Sequence, residues 1–554
     1  MSDQSALQAF NSLQEHYYSA WFRFHPERAV HVGVAGFEER LRAYSDDDMG
    51  ALIALNEKAL FSLDELDFAA LTADQQMDYS ILYNAISIEL HDLLERDWRY
   101  YRPQDWVPVE AIHQLLTCPV EHLHTALKHR MQAVPELLRA ARGYLQQSVE
   151  RIPPSWLKLA VQKSRSGARF FRELYRHPVV VAKFQNPSRL QPLCDQAAVA
   201  MDDFARFLEV DIGEQARGSF ACGERYFGNL LREAHFLDVS PAELHRFGQC
   251  LFDVTRDQLQ EVTRQLHKQG DMDEVLASIR HNYPKGGPEK LLDAYRQRMK
   301  AAYDFVSSQQ LVSIPEPQAL KIMPTPEFLR HEVPFAAYQE PTYRDPRQQG
   351  YYYVTPVASE GHLLEHNWTS IDLTCVHEAY PGHHLQFVTA NRNPANSLPR
   401  LLNASATLYE GWALYCEDLM HEQGFLSGLE HQFIMLRDRL WRAMRVMLDV
   451  ELHCDELSLD RAAQRMCDEL SFSIDQAMAD LNWYTQAPTV PMGYATGWAL
   501  IKALREQQSS EADFSLGQFH DQLLSVGSCA LPLVIRRAFG ESAWKLAREY
   551  VFED

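Results

Sequence analysis

Apolar residues recur at three- and four-residue intervals through most of this chain, the period of helices that bury one face. Asp78 to Ile86 and Glu121 to Glu150 are examples from the stretch 5–310, where the interruptions are short Pro or Gly breaks rather than long linkers. Ser240-Pro241-Ala242-Glu243 marks one helix start. Serine can cap, proline suits the first helical position, and the glutamate three residues after the cap can return a bond to it. The helical pattern fails over about 313–357, where prolines at 315, 317, 324, 326, 334, 341, 346 and 356 exclude long helices. Within it Ala319 to Met323 and Tyr351 to Val354 read as short strands. After Glu360 the helices resume to the end. The predicted class is mainly α with one small β-sheet. An N-terminal helical region (1–312) packs in one unit against a C-terminal region (313–554), itself divided into the sheet (313–357), helices 362–424 and supporting helices 428–554.

Composition narrows the functional classes. At 554 residues, 46% hydrophobic and 23% charged, the chain has the makeup of a soluble globular protein with a large core. A net charge of −22 argues against a nucleic-acid partner, whose binding needs clustered cations, and disfavours anionic membrane surfaces. The first residues, MSDQSALQAF, have neither a basic segment nor an apolar core of signal-peptide type, and no run of about 18 apolar residues is present. Nine scattered cysteines without a C-x-x-C read as reduced thiols. A cytoplasmic protein without membrane partners is expected.

The chemistry concentrates in His377-Glu378-Ala379-Tyr380-Pro381-Gly382-His383-His384, three imidazoles and a carboxylate in eight residues. Imidazoles suit Zn²⁺, and an adjacent carboxylate can take a proton from a water that the ion activates. The common zinc-hydrolase helix carries H-E-x-x-H, with its histidines four apart. Here the second histidine falls at i+6 or i+7, roughly 9 to 10.5 Å along a regular helix. That is too far for one ion with bonds of about 2.0–2.1 Å. Pro381-Gly382 predicts a kink that brings a later histidine back. His383 is the preferred second ligand, because a tight turn would aim the following residue inward; His384 is the alternative, and otherwise orients substrate. A third ligand is expected from a helix over about 400–421. Glu410 is the candidate, with Glu417 on the same face to orient a histidine. Cys375 and Cys416 lie nearby and read as core.

A second constellation lies on a helix over 437–453. Arg439, Arg442 and Arg445 recur at i+3, followed by Asp449 and His453 at i+4. Arginine grips carboxylates bidentately, so Arg442 or Arg445 is a candidate for a peptide's C-terminal carboxylate. Asp449 could orient His453 as donor to a developing oxyanion.

HEAYPGHHLQ at 377–386 with EGWALYCE at 410–417 resembles the signature pair of the domain-of-unknown-function 885 family, bacterial proteins similar to gluzincin metallopeptidases. The likeness extends to Gly350-Tyr351-Tyr352-Tyr353, Gly223 to Phe227, the arginine helix, and Pro488, Tyr494 and Gly497. It departs after Pro488, where the family tends to have Gly-Gln and this chain has Thr489-Val490. The resemblance implies a large two-lobed helical zincin-like metallopeptidase fold, with the small sheet beside the active site, and a peptidase-type site. It makes Tyr494 a rival to His453 as oxyanion donor. By analogy with such folds, Gly350 to Val354 would be an edge strand that pairs with substrate, placing Tyr352 at the site. The predicted function is zinc-dependent hydrolysis of small peptides, of carboxypeptidase or dipeptidase type, with His377, His383 and Glu410 as ligands and Glu378 as general base. A metal-dependent amidohydrolase of a small metabolite and a metal-binding protein without catalysis are the alternatives.

Overall fold

A computed structural model of the chain describes residues 3–330, 333, 335–356 and 366–553. Helices dominate, as the apolar periodicity predicts, and they form two compact units. The first comprises residues 1–220 with the short segments Glu327–Leu329 and Thr342–Pro346. Its core is built on Trp106, Leu127, Trp156, Phe171 and Met201, each almost fully buried. The second comprises 221–326, 330–341 and 347–554. The division therefore falls at Phe220 and Ala221, not at the expected 312. The reason is visible in helix α1 (Pro241–Leu266): Gly248 lies against Val446 so tightly that a Cβ would come within 2.9 Å of that side chain, which ties α1 to the helices of the second unit. The start of α1 carries the predicted capping box, with Ser240 N donating to Glu243 Oε2 at 2.7 Å and Glu243 N to Ser240 Oγ at 3.2 Å. Helix α2 (Pro288–Ser308) follows in the same unit.

The sheet has three strands in the order β1-β3-β2, where β1 is Ala319–Pro324, β2 is Ala336–Gln339 and β3 is Gln349–Val354. β1 runs parallel to β3 in the register Ile322↔Tyr352, and β2 runs antiparallel to it with Tyr338↔Tyr352. The segment Gly350 to Val354 is thus the central strand, not an edge, because β2 occupies the side expected to be open. β2 was not legible: it has four residues and is flanked by prolines, which read as loop. Pro334 and the helix start expected after Glu360 lie outside the described residues. Successive side chains alternate between sheet faces. Tyr352 is 0% exposed and packs on Tyr295 of α2 with ring centroids 5.5 Å apart, so it anchors the sheet to a helix and does not face substrate. Tyr351 and Tyr353 stack on the opposite face, 6.2 Å apart.

The site is carried by helices α3 (Trp368–Glu378), α4 (His383–Arg392), α5 (Ala406–Glu422), α6 (Leu429–Cys454), α7 (Ile474–Tyr484) and α8 (Gly493–Gln508). The helix expected over about 400–421 is split: Leu398–Leu402 forms a short turn of its own, and α5 restarts with Ser405 Oγ accepting from Thr407 N.

Candidate metal centre

Helix α3 begins at Asn367, whose Oδ1 accepts from Ser370 N at 2.9 Å, and ends at Glu378. The chain then folds back onto the helix end, with Gly382 N donating to Val376 O at 3.0 Å. Only glycine fits, since a Cβ on residue 382 would lie 1.8 Å from His377 O. From α5, Trp412 Nε1 donates to Pro381 O at 2.8 Å. α4 therefore starts with its first residue, His383, beside His377, and the two rings meet edge to face with centroids 4.9 Å apart.

Glu410 on α5 completes a triad whose ligand atoms all lie within 4.8 Å of one another. Oε2 of Glu410 is 3.2 Å from His383 Nε2 and 3.6 Å from His377 Nε2. Ligand atoms on a tetrahedral centre with bonds of about 2.0–2.2 Å stand about 3.3–3.5 Å apart, so these spacings suit one ion. Oε2 of Glu410 accepts no hydrogen bond among the described residues despite its burial, as expected of a ligand atom. On the far side of His377, Nδ1 donates to Oε1 of Glu417 at 2.7 Å, which turns Nε2 toward Glu410. Burial alone would lower the His377 pKa, but Glu410 and Glu417 outweigh it and push it up to about 10. Burial likewise opposes ionisation of Glu410, yet the imidazoles of His383 and His377 hold its carboxyl well below the usual range. The pocket thus favours a cation. Glu378, within electrostatic reach of both histidines, Glu410 and Arg442, has its pKa raised, chiefly by burial.

His384 is not in the triad. It is completely buried, with Nε2 donating to Gln318 Oε1 at 2.7 Å and Nδ1 accepting from the Tyr338 hydroxyl at 3.0 Å. Gly350 makes room for it on β3, where a Cβ would stand 2.8 Å from Nδ1. Burial pushes its pKa down to about 3. Both nitrogens are engaged in holding the sheet to the histidine turn, so the expected contact with substrate is not available. Cys375 and Cys416 are fully buried and take no part.

Tyr494 is placed by glycines. Gly411 of α5 and Gly497 of α8 pack backbone to backbone, which brings the Tyr494 hydroxyl to Glu410 and its ring within 6.4 Å of the His377 ring. The Arg445 guanidinium lies 4.6 Å from the centre of the Tyr494 ring. Arg445 is itself held from α7, with Nε donating to the Tyr484 hydroxyl at 2.8 Å and Nη2 to Asp480 Oδ1 at 3.3 Å. Arg442, also buried, stacks on Trp441 at 4.4 Å, and its Nε has no hydrogen-bond partner among the described residues. Arg439 is turned elsewhere, paired with Asp418 and stacked on Trp498.

The acid–imidazole pair further along α6 does not assemble as expected. Asp449 Oδ1 and Oδ2 accept from the backbone N–H groups of Thr489 and Met492, at 3.2 Å each, and stand 4.0 Å or more from His453 Nε2. His453 Nε2 instead donates to the Tyr484 carbonyl at 3.0 Å, and its ring stacks on Phe227. Both residues brace the loop before α8, because their i,i+4 spacing on a fully buried face turns them toward neighbouring backbone. Sequence reasoning missed Asp480 and Tyr484, whose i,i+4 spacing on α7 was the available signal, and Tyr338, for which there was none.

A mainly helical protein with two buried histidines and a half-buried glutamate clustered beside a small mixed sheet is the class that this fold and site define. The chain belongs to the family of bacterial proteins of unknown function DUF885, which it matches over residues 26–537. It is similar in fold to a solved structure described as a "putative lipoprotein of unknown function" from Shewanella oneidensis, with TM-score 0.76 and 20% identity over 95% of this chain and 99% of that one. A "putative lipoprotein" from Colwellia psychrerythraea is likewise similar, with TM-score 0.79 and 15% identity over 100% of each chain. No match to a curated protein was found. The description of both neighbours as lipoproteins overturns the expected cytoplasmic placement, which rested on reduced-looking cysteines and a polar N-terminal sequence. No helix among the described residues is long and apolar enough to cross a membrane. Thr489, where the resemblance leads one to expect glycine, holds φ at +68°, a region that favours glycine.

Proposed function

We propose that this protein is a zinc-dependent hydrolase that cleaves small peptides bearing a free C-terminal carboxylate, as a carboxypeptidase or dipeptidase. The observation that carries the reading is the convergence of His377, His383 and Glu410 on one point, with Glu417 behind His377. Two imidazoles and one carboxylate are a three-residue donor set of the type that catalytic zinc sites use, and their separations fit it. When bound there, Zn²⁺ supplies Lewis acidity that polarises the scissile carbonyl and acidifies water. Glu378, next in sequence to a ligand, takes the proton of the attacking water on its carboxylate and returns it to the leaving amine. Tyr494, its hydroxyl at Glu410 and its ring against Arg445, donates to the oxygen on which charge develops. It takes the oxyanion role in preference to His453, whose Nε2 is committed to Tyr484. Arg442 receives the substrate carboxylate: Asp438, 3.6 Å from its Nη1, leaves its Nε unused, whereas Arg445, with only Nη1 unused, is held by both Asp480 and Tyr484.

The test is a digest of a dipeptide and tripeptide library, with acylated amino acids alongside, by zinc-loaded and chelated protein. Zinc-dependent release of C-terminal residues is expected. Turnover of acylated metabolites without any peptide cleavage would replace the peptidase reading with that of an amidohydrolase, and no turnover of either would remove catalysis from the site.

A further inference from the structure

The two histidines of the triad are flanked differently. His377 faces Tyr494 and, through it, the arginines of α6. His383 faces three aromatic rings from three separate elements: Tyr338 of β2, Phe387 of α4 and Tyr409 of α5, at centroid distances of 6.1, 6.2 and 6.2 Å. These rings also contact one another, Tyr338 to Phe387 at 6.2 Å and Phe387 to Tyr409 at 5.8 Å. They are not core residues. All three are half-buried, while the ligand they surround is buried. Partly exposed aromatic surface adjoining a cluster of catalytic-type donors is the usual makeup of a side-chain subsite.

The sheet fixes the direction in which a substrate meets this wall. Among the described residues β2 is paired with a strand on one side only, that of β3. Tyr338 points to the helix face, where its hydroxyl donates to His384. An extended peptide added along the other side of β2 would place the side chain opposite Tyr338 on that same face, about 4.5–5.5 Å away at Cβ. It would lie over Phe387 and Tyr409. With the substrate carboxylate at Arg442, on the His377 side, the residue on the His383 side is the one that contributes the scissile carbonyl.

We infer that Tyr338, Phe387 and Tyr409 form a specificity subsite for an aromatic side chain on the acyl side of the scissile bond. This rests on the peptidase reading for the direction of the substrate, and the following experiment separates the two. Binding of acetyl-Phe-Gly and acetyl-Ala-Gly to zinc-loaded Glu378→Gln protein is measured by calorimetry, and their hydrolysis by the parent protein is measured in parallel. The phenylalanine peptide is expected to bind more tightly by about tenfold or more, the scale that apolar pockets give for lost methylenes. Phe387→Ala and Tyr409→Ala should bring the two peptides to near equality, whereas Tyr409→Phe, which keeps the ring and is the safer variant for folding, should retain the preference. Equal binding of the two peptides, no binding of either, or an undiminished preference in both alanine variants would overturn the subsite. A binding preference without hydrolysis by the parent would support the subsite and count against the peptidase. Hydrolysis without preference would do the reverse.

Discussion

Gly497 lies so close to Gly411 that neither position has room for a side chain. A Cβ on Gly411 would stand 2.5 Å from Gly497 Cα, and one on Gly497 would stand 1.9 Å from Thr407 O. This contact sets how near α8 comes to α5. Tyr494 lies about one turn before Gly497, and Glu410 immediately precedes Gly411, so the backbone contact aligns the tyrosine with the ligand.

Gly497→Ala should therefore be costly. Forcing a methyl into a packed interior typically destabilises by about 1–3 kcal/mol, and backbone cannot swing aside as a side chain could. Urea unfolding is expected to show a lowered midpoint. Gly143→Ala, in a helix with nothing within 4 Å of the added Cβ, serves as control and should hold or raise it. Equal midpoints for both variants would refute the tight crossing.

Metal analysis should find about one zinc per chain, removable by chelator. His377→Ala, His383→Ala and Glu410→Ala should each lose it. His384→Ala should keep it, because that imidazole is tied to Gln318 and Tyr338. Loss of zinc in His384→Ala with retention in His383→Ala would exchange the two roles.

Glu417→Gln should weaken zinc affinity by about 10- to 100-fold without abolishing it, the usual effect of altering a partner that orients a ligating histidine. Competition with a fluorescent chelator measures this directly, and an unchanged affinity would leave Glu417 as a purely structural acid.

Glu378→Gln should retain zinc and lose turnover by about 10²- to 10⁴-fold, since an amide cannot accept the proton. Near-parent activity in that variant would exclude Glu378 as the base.

Amidating the C-terminus of a good peptide substrate should slow its cleavage sharply, because removing one partner of a desolvated arginine–carboxylate contact costs about 2–5 kcal/mol. Arg442→Lys should erase most of the difference between acid and amide. Equal cleavage of the two forms by the parent would point to an endopeptidase or aminopeptidase and leave Arg442 a packing residue.

Local rules were the most legible part of the chain. The capping box at Ser240, the two strands around 319 and 351, and the break at Pro381-Gly382 each depend on a few neighbouring residues. His383 could be favoured over His384 because the turn is local too. What depended on distant partners was not legible. Whether Gly350 to Val354 is central or edge is decided by β2, which left almost no trace in the pattern. Whether Asp449 meets His453 or the loop at Thr489 is decided by how α6 is rotated against its neighbours, which helical spacing alone leaves open. The boundary at 220 reflects the docking of Gly248 on Val446, again a long-range contact.

The bond from Trp412 to the Pro381 carbonyl bears on how an ion would come and go. Trp412 is two residues from Glu410, and Pro381 two from His383, so ligands from segments far apart in sequence are latched together by a bond that does not involve the ion. Removing the metal would then leave the donor set assembled, unlike domains that fold only around their zinc. Exchange would be set by the ion's own departure and entry, and a demetallated sample should regain activity on simple addition of zinc, with no refolding phase.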